Sequence, residues 1–226
     1  MRCLLDWGTL CAVVASQQNF SSALNWQSQR KEKMARPREF DVVIALEAAV
    51  ACFWTKGYEA TSMRELAKKM GLSSTSVYNT YGDKYALFVQ ALERYLDQSM
   101  RERIRRLEEL PYPKKAIRKF IDEIIDKSVN DRERRGCFLI NSALEVAPHD
   151  KKLGVLIADR LGEIEAFFCR SIKAAQADGA IPKERVAKDL ARLLLGVLLG
   201  IRVLARSNPE RALLEGVARP ALALLD

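Results

Sequence analysis

The segment LSSTSVYNT, residues 72–80, carries hydroxyl or amide side chains at most of its positions. These side chains both donate and accept hydrogen bonds, and they are short enough to let a helix enter the major groove of DNA, where base edges offer complementary groups. A solvated surface helix is more often built from Glu and Lys, which favour helix formation more strongly. The segment therefore predicts a helix that reads base edges, with an ordinary polar surface helix as the alternative.

Two helix signals in the sequence position this segment. Ser62 and Glu65 form an S-x-x-E capping box at the start of one short helix, and Gly71 is suited to end it in the left-handed conformation. Ser73 is the expected N-cap of the next helix. Two short helices joined through a glycine, with the small Ala67 allowing a close crossing, predict a helix-turn-helix.

Helical periodicity continues through the chain after residue 38, and the sequence contains no alternating β-branched runs. It therefore predicts an all-α fold, with a three-helix helix-turn-helix DNA-binding domain over residues 34–86 joined to a larger helical bundle over residues 87–226. Residues 1–33 are expected to be a loose extension or the product of a misassigned start codon. The basic stretch at residues 30–38 is expected either to lie along DNA or to be a solvated tail.

Charge and cysteine usage narrow the classes of function. The chain has 37 basic and 29 acidic residues, a net charge of +8, and this moderate excess favours polyanionic partners such as nucleic acid. Its five cysteines include no C-x-x-C pair, so neither a disulfide framework nor a zinc site is expected, and a reducing cytoplasm fits this usage. The single histidine, His149, has no partner at ligand spacing, and the sequence predicts no metal and no cofactor.

Enzymatic and membrane functions receive little support from the sequence. It contains no phosphate-binding loop, no nucleophile with a histidine partner and no carboxylate pair at the spacing of a metal-binding bundle. The most apolar run, LLLGVLLGIRVL at residues 193–204, contains Arg202 and is shorter than the roughly 20 residues that cross a bilayer. It predicts a packing helix, and a helical-bundle enzyme is the weaker alternative to a regulator.

Residues 38–90 resemble the DNA-binding domain of the TetR family of bacterial transcriptional regulators. The shared features are the pair Gly57–Tyr58, the Thr61–Ser62 entry to the second helix, the pair Leu66–Ala67, and the segments Val77–Tyr78 and Tyr81–Lys84. The segment RGCFLINSALE, residues 135–145, is also similar to one found in a broad branch of this family. The resemblance implies a dimeric repressor that leaves its operator when a small molecule enters the C-terminal bundle.

By position, the resemblance implies DNA contacts from the second and third helices. The residues expected to read base edges are Ser74, Thr75, Ser76 and Asn79. The residues expected to touch phosphates, at a helix N-terminus or along the DNA backbone, are Thr61, Ser62, Arg64, Tyr78, Thr80 and Lys84. For Arg64, a solvated surface arginine is the alternative. Asn79 and Thr80 are smaller than the side chains common in the family, so the operator sequence does not follow from that of a relative.

A second copy of the chain and a small-molecule effector are the other expected partners. One recognition helix discriminates too little for a genome, so a two-fold homodimer on near-palindromic double-stranded DNA is expected. Residues 150–206 are predicted to form the dimer surface, with an intramolecular core as the alternative. The residues predicted to line the effector pocket, each with core packing as its alternative, are Tyr112, Phe120, Ile124, Phe138, Asn141, Leu144, Phe167 and Phe168.

Cys137 suggests an alternative mode of regulation. It follows Arg132, Arg134 and Arg135 in the sequence, and neighbouring cations lower the pKa of a thiol and make it reactive. This pattern favours a regulator that senses oxidants or electrophiles, whereas a structural buried cysteine is the competing interpretation. A regulator that needs no ligand, activates transcription or acts through a protein partner also fits the sequence.

Overall fold

The computed structural model describes residues 41–226, and all regular structure in this range is helical. In chain order the helices are α1 (Val42–Lys56), α2 (Met63–Met70), α3 (Ser74–Tyr81), α4 (Lys84–Leu96), α5 (Glu102–Glu108), α6 (Pro113–Val129), α7 (Phe138–Glu145), α8 (Lys151–Ala177), α9 (Ala187–Ser207) and α10 (Arg211–Ala223). A π-helical turn, Asp97–Arg101, continues α4 into α5. The predicted all-α class is confirmed, whereas the predicted extension at residues 1–33 and the basic stretch at residues 30–38 lie outside the described residues.

The helix-turn-helix forms through the capping groups that the sequence predicts. The Ser62 Oγ accepts a hydrogen bond from the N–H of Glu65 at 3.2 Å, and Gly71 follows α2 with φ 69° and ψ 25°. The Ser73 Oγ accepts a hydrogen bond from the N–H of Ser76 at 3.1 Å and starts α3. These caps satisfy backbone groups that the two short helices leave unpaired, and they fix the turn between α2 and α3.

Helices α1 and α4 form the support on which α2 and α3 are packed. Phe53 of α1 and Phe88 of α4 are fully buried and meet edge to face, with 5.2 Å between ring centroids. Leu66 of α2 and Val77 of α3 are also fully buried. Burial of one such side chain contributes about 1.5–3 kcal/mol, and this tertiary packing orders helices of eight residues that are too short to be stable alone.

The C-terminal bundle is built around α6, α8 and α9. An aromatic cluster of Phe120, Phe167 and Phe168 joins α6 to α8, with ring centroids 5.2–5.4 Å apart. Helix α9 packs along α8 and buries Leu194 and Ile201, while α10 packs against both α6 and α9. Within residues 41–226, no helix is long and apolar enough to cross a membrane.

The short helix α7 connects the bundle to the helices that support the DNA-binding motif. It packs against α1 and α4 as well as against α8 and α9. Residues 42–226 accordingly form one compact unit, and the predicted domain boundary at residue 86 stays a prediction. Helix α7 thus contacts both the bundle and the helices that support α2 and α3.

Candidate nucleic-acid interface and the cavity behind it

Helix α3 turns its apolar residues inward and its polar residues outward. Val77 and Tyr81 are buried against the supporting helices, and the Tyr81 hydroxyl donates a hydrogen bond to the backbone oxygen of Val42 at 3.1 Å. The side chains that α3 leaves exposed to solvent are those of Ser74, Thr75, Tyr78, Asn79 and Thr80. Five of the residues expected to contact DNA thus share one solvent-facing surface of a helix whose opposite face is anchored.

Ser76, also expected to read base edges, has a more restricted position. It is half-buried, and its hydroxyl oxygen lies 2.9 Å from that of Ser73, the N-cap of α3. A hydroxyl has one donor and two acceptor sites, so the contact with Ser73 uses part of its hydrogen-bonding capacity. Ser76 therefore interacts with the N-cap residue of α3 in addition to lying on the recognition helix.

The start of α2 divides the expected phosphate contacts into exposed and buried residues. Ser62 and Arg64 are exposed there, beside N–H groups of the first turn that attract anions. Thr61 differs: it is 1% exposed, and its hydroxyl donates a hydrogen bond to the backbone oxygen of Gly57 at 2.7 Å. The structure gives the Thr61 side chain a role inside the turn rather than at the DNA surface, because its hydroxyl already has a partner there.

Lys84, the last expected phosphate contact, is held by the protein itself. Its Nζ donates a hydrogen bond to the backbone oxygen of Glu59 at 3.4 Å and lies 4.4 Å from the centroid of the Tyr58 ring. The side chain is half-buried at the start of α4. Lys84 therefore fastens the loop between α1 and α2 to α4, and any contact with a phosphate shares its ammonium with these partners.

Behind the helix-turn-helix, the bundle encloses a cavity of about 40 Å³ between α4, α6, α7, α8 and α9. Its apolar walls include Leu96, Met100, Phe120, Ile124, Ile140 and Leu198, and its polar lining includes Tyr95, Arg103, Lys127, Cys137 and Arg202. Phe120 and Ile124 are two of the residues predicted to line an effector pocket. Cys137, the candidate sensor, lies in the same wall.

The other residues predicted to line the effector pocket lie elsewhere. Phe138, Asn141 and Leu144 line a separate cleft of about 270 Å³ against α1, where Asn141 donates a hydrogen bond to the backbone oxygen of Arg135 at 2.8 Å. Leu144 is 64% exposed, and Tyr112 is 60% exposed at the start of α6. Phe167 and Phe168 pack within the aromatic core beside Phe120. The structure brings only Phe120 and Ile124 of this set to the enclosed cavity.

Arg202 is the cavity residue that the sequence interpretation missed. It is 4% exposed, and its two Nη atoms donate hydrogen bonds to the Ser128 Oγ at 2.9 Å and the Gly136 backbone oxygen at 2.8 Å. The buried Nε atom has no hydrogen-bond partner. A lone arginine inside the most apolar run of the chain was the available signal, because a charged residue is almost never buried without a partner.

Two weakly acidic groups lie near this guanidinium. The Tyr95 hydroxyl donates a hydrogen bond to the Cys137 Sγ at 3.6 Å. Burial raises the pKa of Tyr95 well above its ordinary value, so the phenol stays neutral.

Lys127 is a further basic residue of the cavity wall. Burial, followed by the charge of Arg202, lowers the pKa of Lys127. The cavity thus presents cationic and neutral donors to whatever enters it.

A chain of aromatic contacts leads from this cavity to the DNA-binding motif. Tyr95 lies 5.7 Å from Phe138, Phe138 lies 5.5 Å from Phe88, and Phe88 lies 4.9 Å from Tyr58, all between ring centroids. Tyr58 in turn carries the ammonium of Lys84 on its face. Close-packed aromatic rings thus connect the cavity wall at Tyr95 to the α1–α2 loop.

A second contact ties α7 to the same loop. The Glu145 Oε1 accepts a hydrogen bond from the N–H of Glu59 at 3.0 Å. Gly57 lies beside this carboxylate at φ +85°, and the Glu145 carboxylate occupies the space that a Cβ at residue 57 would take. The positive φ favours glycine at this position, and the loop before α2 contacts the end of α7 there.

Among residues 41–226, no group of three or more His, Cys, Asp or Glu side chains is placed to hold a metal ion. The site chemistry of the described chain is hydrogen bonding and charge: exposed hydroxyls and an amide on α3, and buried donors in the cavity. The two sites are joined by α7 and α4.

Both the N-terminal and the C-terminal part of the described chain match known protein families. Residues 45–91 match a family described as bacterial regulatory proteins of the TetR family. Residues 113–219 match the C-terminal domain described as tetracyclin repressor-like. These two matches cover the helix-turn-helix with α4 and the bundle from α6 to α10, respectively.

Individual relatives extend over most of the chain. The HTH-type transcriptional regulator YezE of Bacillus subtilis is 30% identical over 194 residues, which are 85% of this chain and 100% of the relative. The HTH-type transcriptional repressor ComR of Escherichia coli is 27% identical over 195 residues, 86% of this chain and 93% of the relative. A solved structure of the TetR family regulator CifR, with substituted cysteines and bound to 26-bp double-strand operator DNA, is 29% identical with a TM-score of 0.77. That match covers 85% of this chain and 100% of CifR.

Proposed function

The chain belongs to the TetR family of bacterial transcriptional regulators, and we propose that it is a homodimeric repressor which a small-molecule effector releases from a near-palindromic operator. It is a DNA-binding regulator with a helix-turn-helix. The observation that carries the proposal is the orientation of α3, which buries Val77 and Tyr81 and leaves its hydroxyl and amide side chains exposed. ComR is a repressor, and CifR has been solved on operator DNA.

The proposed DNA contacts follow from the exposed surface of the motif. Side chains of α3 read base edges in the major groove, while the exposed start of α2 binds a phosphate through backbone N–H groups and Arg64. Lys84 adds its ammonium from the start of α4. This role involves no catalytic step, and it is exercised on DNA in the bacterial cytoplasm.

The proposed homodimer forms through α8 and α9, within residues 150–206. Leu193 and Val203 are large apolar side chains of α9 that remain exposed in a single chain. Gly196 lies exposed between them, and a Cβ at Gly196 or Gly200 would meet no atom within 4 Å. This open apolar surface with small residues fits the close approach of a second copy. A substitution of Leu193 by Glu is expected to shift the protein to monomer in sedimentation and to weaken operator binding.

The proposed effector site is the cavity lined by Tyr95, Phe120 and Cys137. A ligand that fits there better in one conformer shifts the population toward that conformer. Because α7 and the aromatic contacts join the cavity wall to the α1–α2 loop, the conformer that accommodates the ligand moves α2 and α3 away from groove spacing. The two α3 helices of a dimer must lie about 34–36 Å apart, or a multiple of this, to read both half-sites.

Footprinting on the DNA that flanks the gene tests the proposal. The expected result is one protected region with two-fold sequence symmetry, and its position over the promoter indicates repression. Protection upstream of the promoter, together with increased transcription, would identify the protein as an activator instead of a repressor. No protected region at low salt, with the folded dimer present, contradicts the proposal as a whole.

Regulation through Cys137 is a second candidate, favoured by a specific contact. The Cys137 Sγ accepts a hydrogen bond from Tyr95 and lines the cavity together with Arg202, so an electrophile that enters the cavity meets the thiol. The substitution Cys137→Ser is then expected to preserve operator binding and to abolish release by oxidants or alkylating agents. An unchanged response of that variant contradicts a sensing role.

A further inference from the structure

Arg202 is a buried cation whose protein partners are all neutral. Its hydrogen bonds go to the Ser128 hydroxyl and the Gly136 carbonyl, and its Nε has no acceptor. Removing a charged group from water costs several kcal/mol unless an anion and further hydrogen bonds compensate. Burial lowers the pKa of Arg202, but the neighbouring Cys137 and Tyr95 raise it to a net increase, so the guanidinium stays charged while its Nε has no acceptor.

The other ionised side chains that line the cavity are also basic. Arg103 already has an acidic partner, because its Nε donates a hydrogen bond to the Glu123 carboxylate at 3.0 Å. Lys127 is partly buried with a lowered pKa, and the positive charge of Arg202 contributes to that lowering. No carboxylate of the described residues belongs to the cavity wall. The cavity therefore combines a cationic lining with apolar walls, which an anion with an apolar part complements.

An outer cleft of about 410 Å³ shares Lys127 and Arg202 with the cavity. It is also lined by Trp54, whose buried Nε1 is a second donor without an acceptor. The cleft does contain Asp131 and Glu133, but both carboxylates lie within 3.8 Å of the Arg135 guanidinium. Three buried donors without a hydrogen-bond acceptor, Arg202 Nε, Trp54 Nε1 and Arg135 Nε, thus belong to residues that line this cleft.

We propose that this site binds an organic carboxylate with a short apolar chain, and that, given the function proposed above, such a carboxylate is the class of effector. The carboxylate accepts hydrogen bonds from Arg202 and Lys127. The chain occupies the enclosed part of the cavity beside Met100, Phe120 and Ile124. Carboxylate oxygens match the planar guanidinium, and the small enclosed volume of about 40 Å³ limits the chain to a few carbons.

The competing assignment for Arg202 is the stabilisation of a Cys137 thiolate, since both residues line the cavity. A thiolate would neutralise the guanidinium, but it would not account for the apolar walls of the cavity. A bound carboxylate with an apolar chain supplies an acceptor for the Arg202 Nε and also fills the apolar part of the cavity. The carboxylate is therefore the assignment that accounts for more of the site.

Calorimetric titration of the purified protein without DNA tests the site. The probes are propionate and butyrate, with propionamide and butyramide as neutral molecules of the same shape. The acids are expected to bind, and the amides to bind at least about tenfold more weakly, because hydrogen bonds to charged groups are the stronger ones. The substitution Arg202→Gln is expected to weaken binding of the acids by about tenfold or more and to leave the amides unchanged.

Arg219→Met serves as the matched control, because Arg219 is exposed on α10 and its loss removes the same charge away from the cavity. Operator binding by each variant shows whether it is folded. If Arg202→Gln does not fold, Lys127→Met provides the same comparison of acids with amides.

Three outcomes overturn the carboxylate site: acids binding no better than amides, equal binding by the Arg202 or Lys127 variant, or no binding of either acid. A slower alkylation of Cys137 by iodoacetamide in Arg202→Gln, together with no acid binding, assigns Arg202 to the thiolate instead. Operator binding measured in parallel keeps these outcomes separate from a failure of the proposed function. Acid binding that depends on Arg202 but leaves the operator complex intact supports the site and contradicts its role as effector.

Discussion

Helices α3 and α9 both place polar groups where chemistry is expected, but they do so in opposite environments. Helix α3 holds its hydroxyls and its amide in solvent and buries only Val77 and Tyr81. Helix α9 buries Arg202 inside an otherwise apolar segment. An exposed polar group is solvated until DNA arrives, whereas a buried guanidinium carries a standing desolvation cost. Helix α3 therefore offers its polar groups at the surface, whereas α9 holds a buried guanidinium whose Nε has no hydrogen-bond acceptor.

The same small helix contacts both regions. Helix α7 places Phe138 between Phe88 and Tyr95 and places Glu145 against the loop before α2. Coupling between two binding sites requires an element with two arrangements that both sites bias. A substitution that weakens the packing of α7 should therefore change both the free energy of unfolding and the response of operator binding to the effector.

The largest effect is expected from Phe138→Ala. Phe138 is fully enclosed between the two regions, and truncation of a buried phenylalanine costs about 3–5 kcal/mol. Urea unfolding should show this loss, and operator binding by the remaining folded protein should lose most of its response to effector. Leu144→Ala is the control on the same helix, because Leu144 is largely exposed and its loss should change stability by less than about 0.5 kcal/mol. A loss below about 1 kcal/mol for Phe138→Ala would show that α7 does not join the regions.

The sequence was informative about α3 for a physical reason. Caps, a glycine in the left-handed conformation and a polar surface are local features, and Ser62, Gly71 and Ser73 formed the predicted turn. The partner of the Thr61 hydroxyl, the Gly57 backbone oxygen, could not be read from the sequence, because it depends on how the loop before α2 folds.

The lining of the cavity was harder to predict, because the cavity is formed by several helices that are distant in sequence. Phe120 and Ile124 reached it, while Asn141 and Leu144 followed the same helical spacing into a different cleft. Arg202 was hidden in a run whose apolar character indicated packing alone. Sequence periodicity reports which face of a helix is buried, but not whether that face meets a neighbour or a space.

The second prediction concerns base reading by α3. Asn79→Ala removes an exposed amide that can donate to and accept from one base edge, so preference at one base position of each half-site should fall by about 1–3 kcal/mol. Competition gel shifts with operator variants at each position measure the change. An equal loss of affinity for operator and random DNA would mean that Asn79 contacts the backbone, and the preference at other positions is the internal control.

The third prediction concerns the cap that positions α3. Ser73→Ala removes the acceptor for the Ser76 N–H, which should lower the free energy of unfolding by about 1 kcal/mol and weaken specific binding. Ser73→Asp should restore stability, because aspartate is also a good N-cap, although its charge opposes DNA. Urea unfolding of the two variants separates the cap from the DNA contact. Equal stability of Ser73→Ala and the parent protein would show that the turn is fixed by packing alone.

The smallest effect is expected from Lys84→Ala. If the ammonium neutralises one phosphate, the variant should bind all sequences more weakly, and the slope of log affinity against log salt should fall by about one. The structure sharpens this test, because Lys84 also binds the Glu59 backbone oxygen and the Tyr58 ring. An unchanged slope with reduced affinity would therefore assign Lys84 to holding the α1–α2 loop. That result would make Lys84 the end of the aromatic path from the cavity rather than part of the DNA surface.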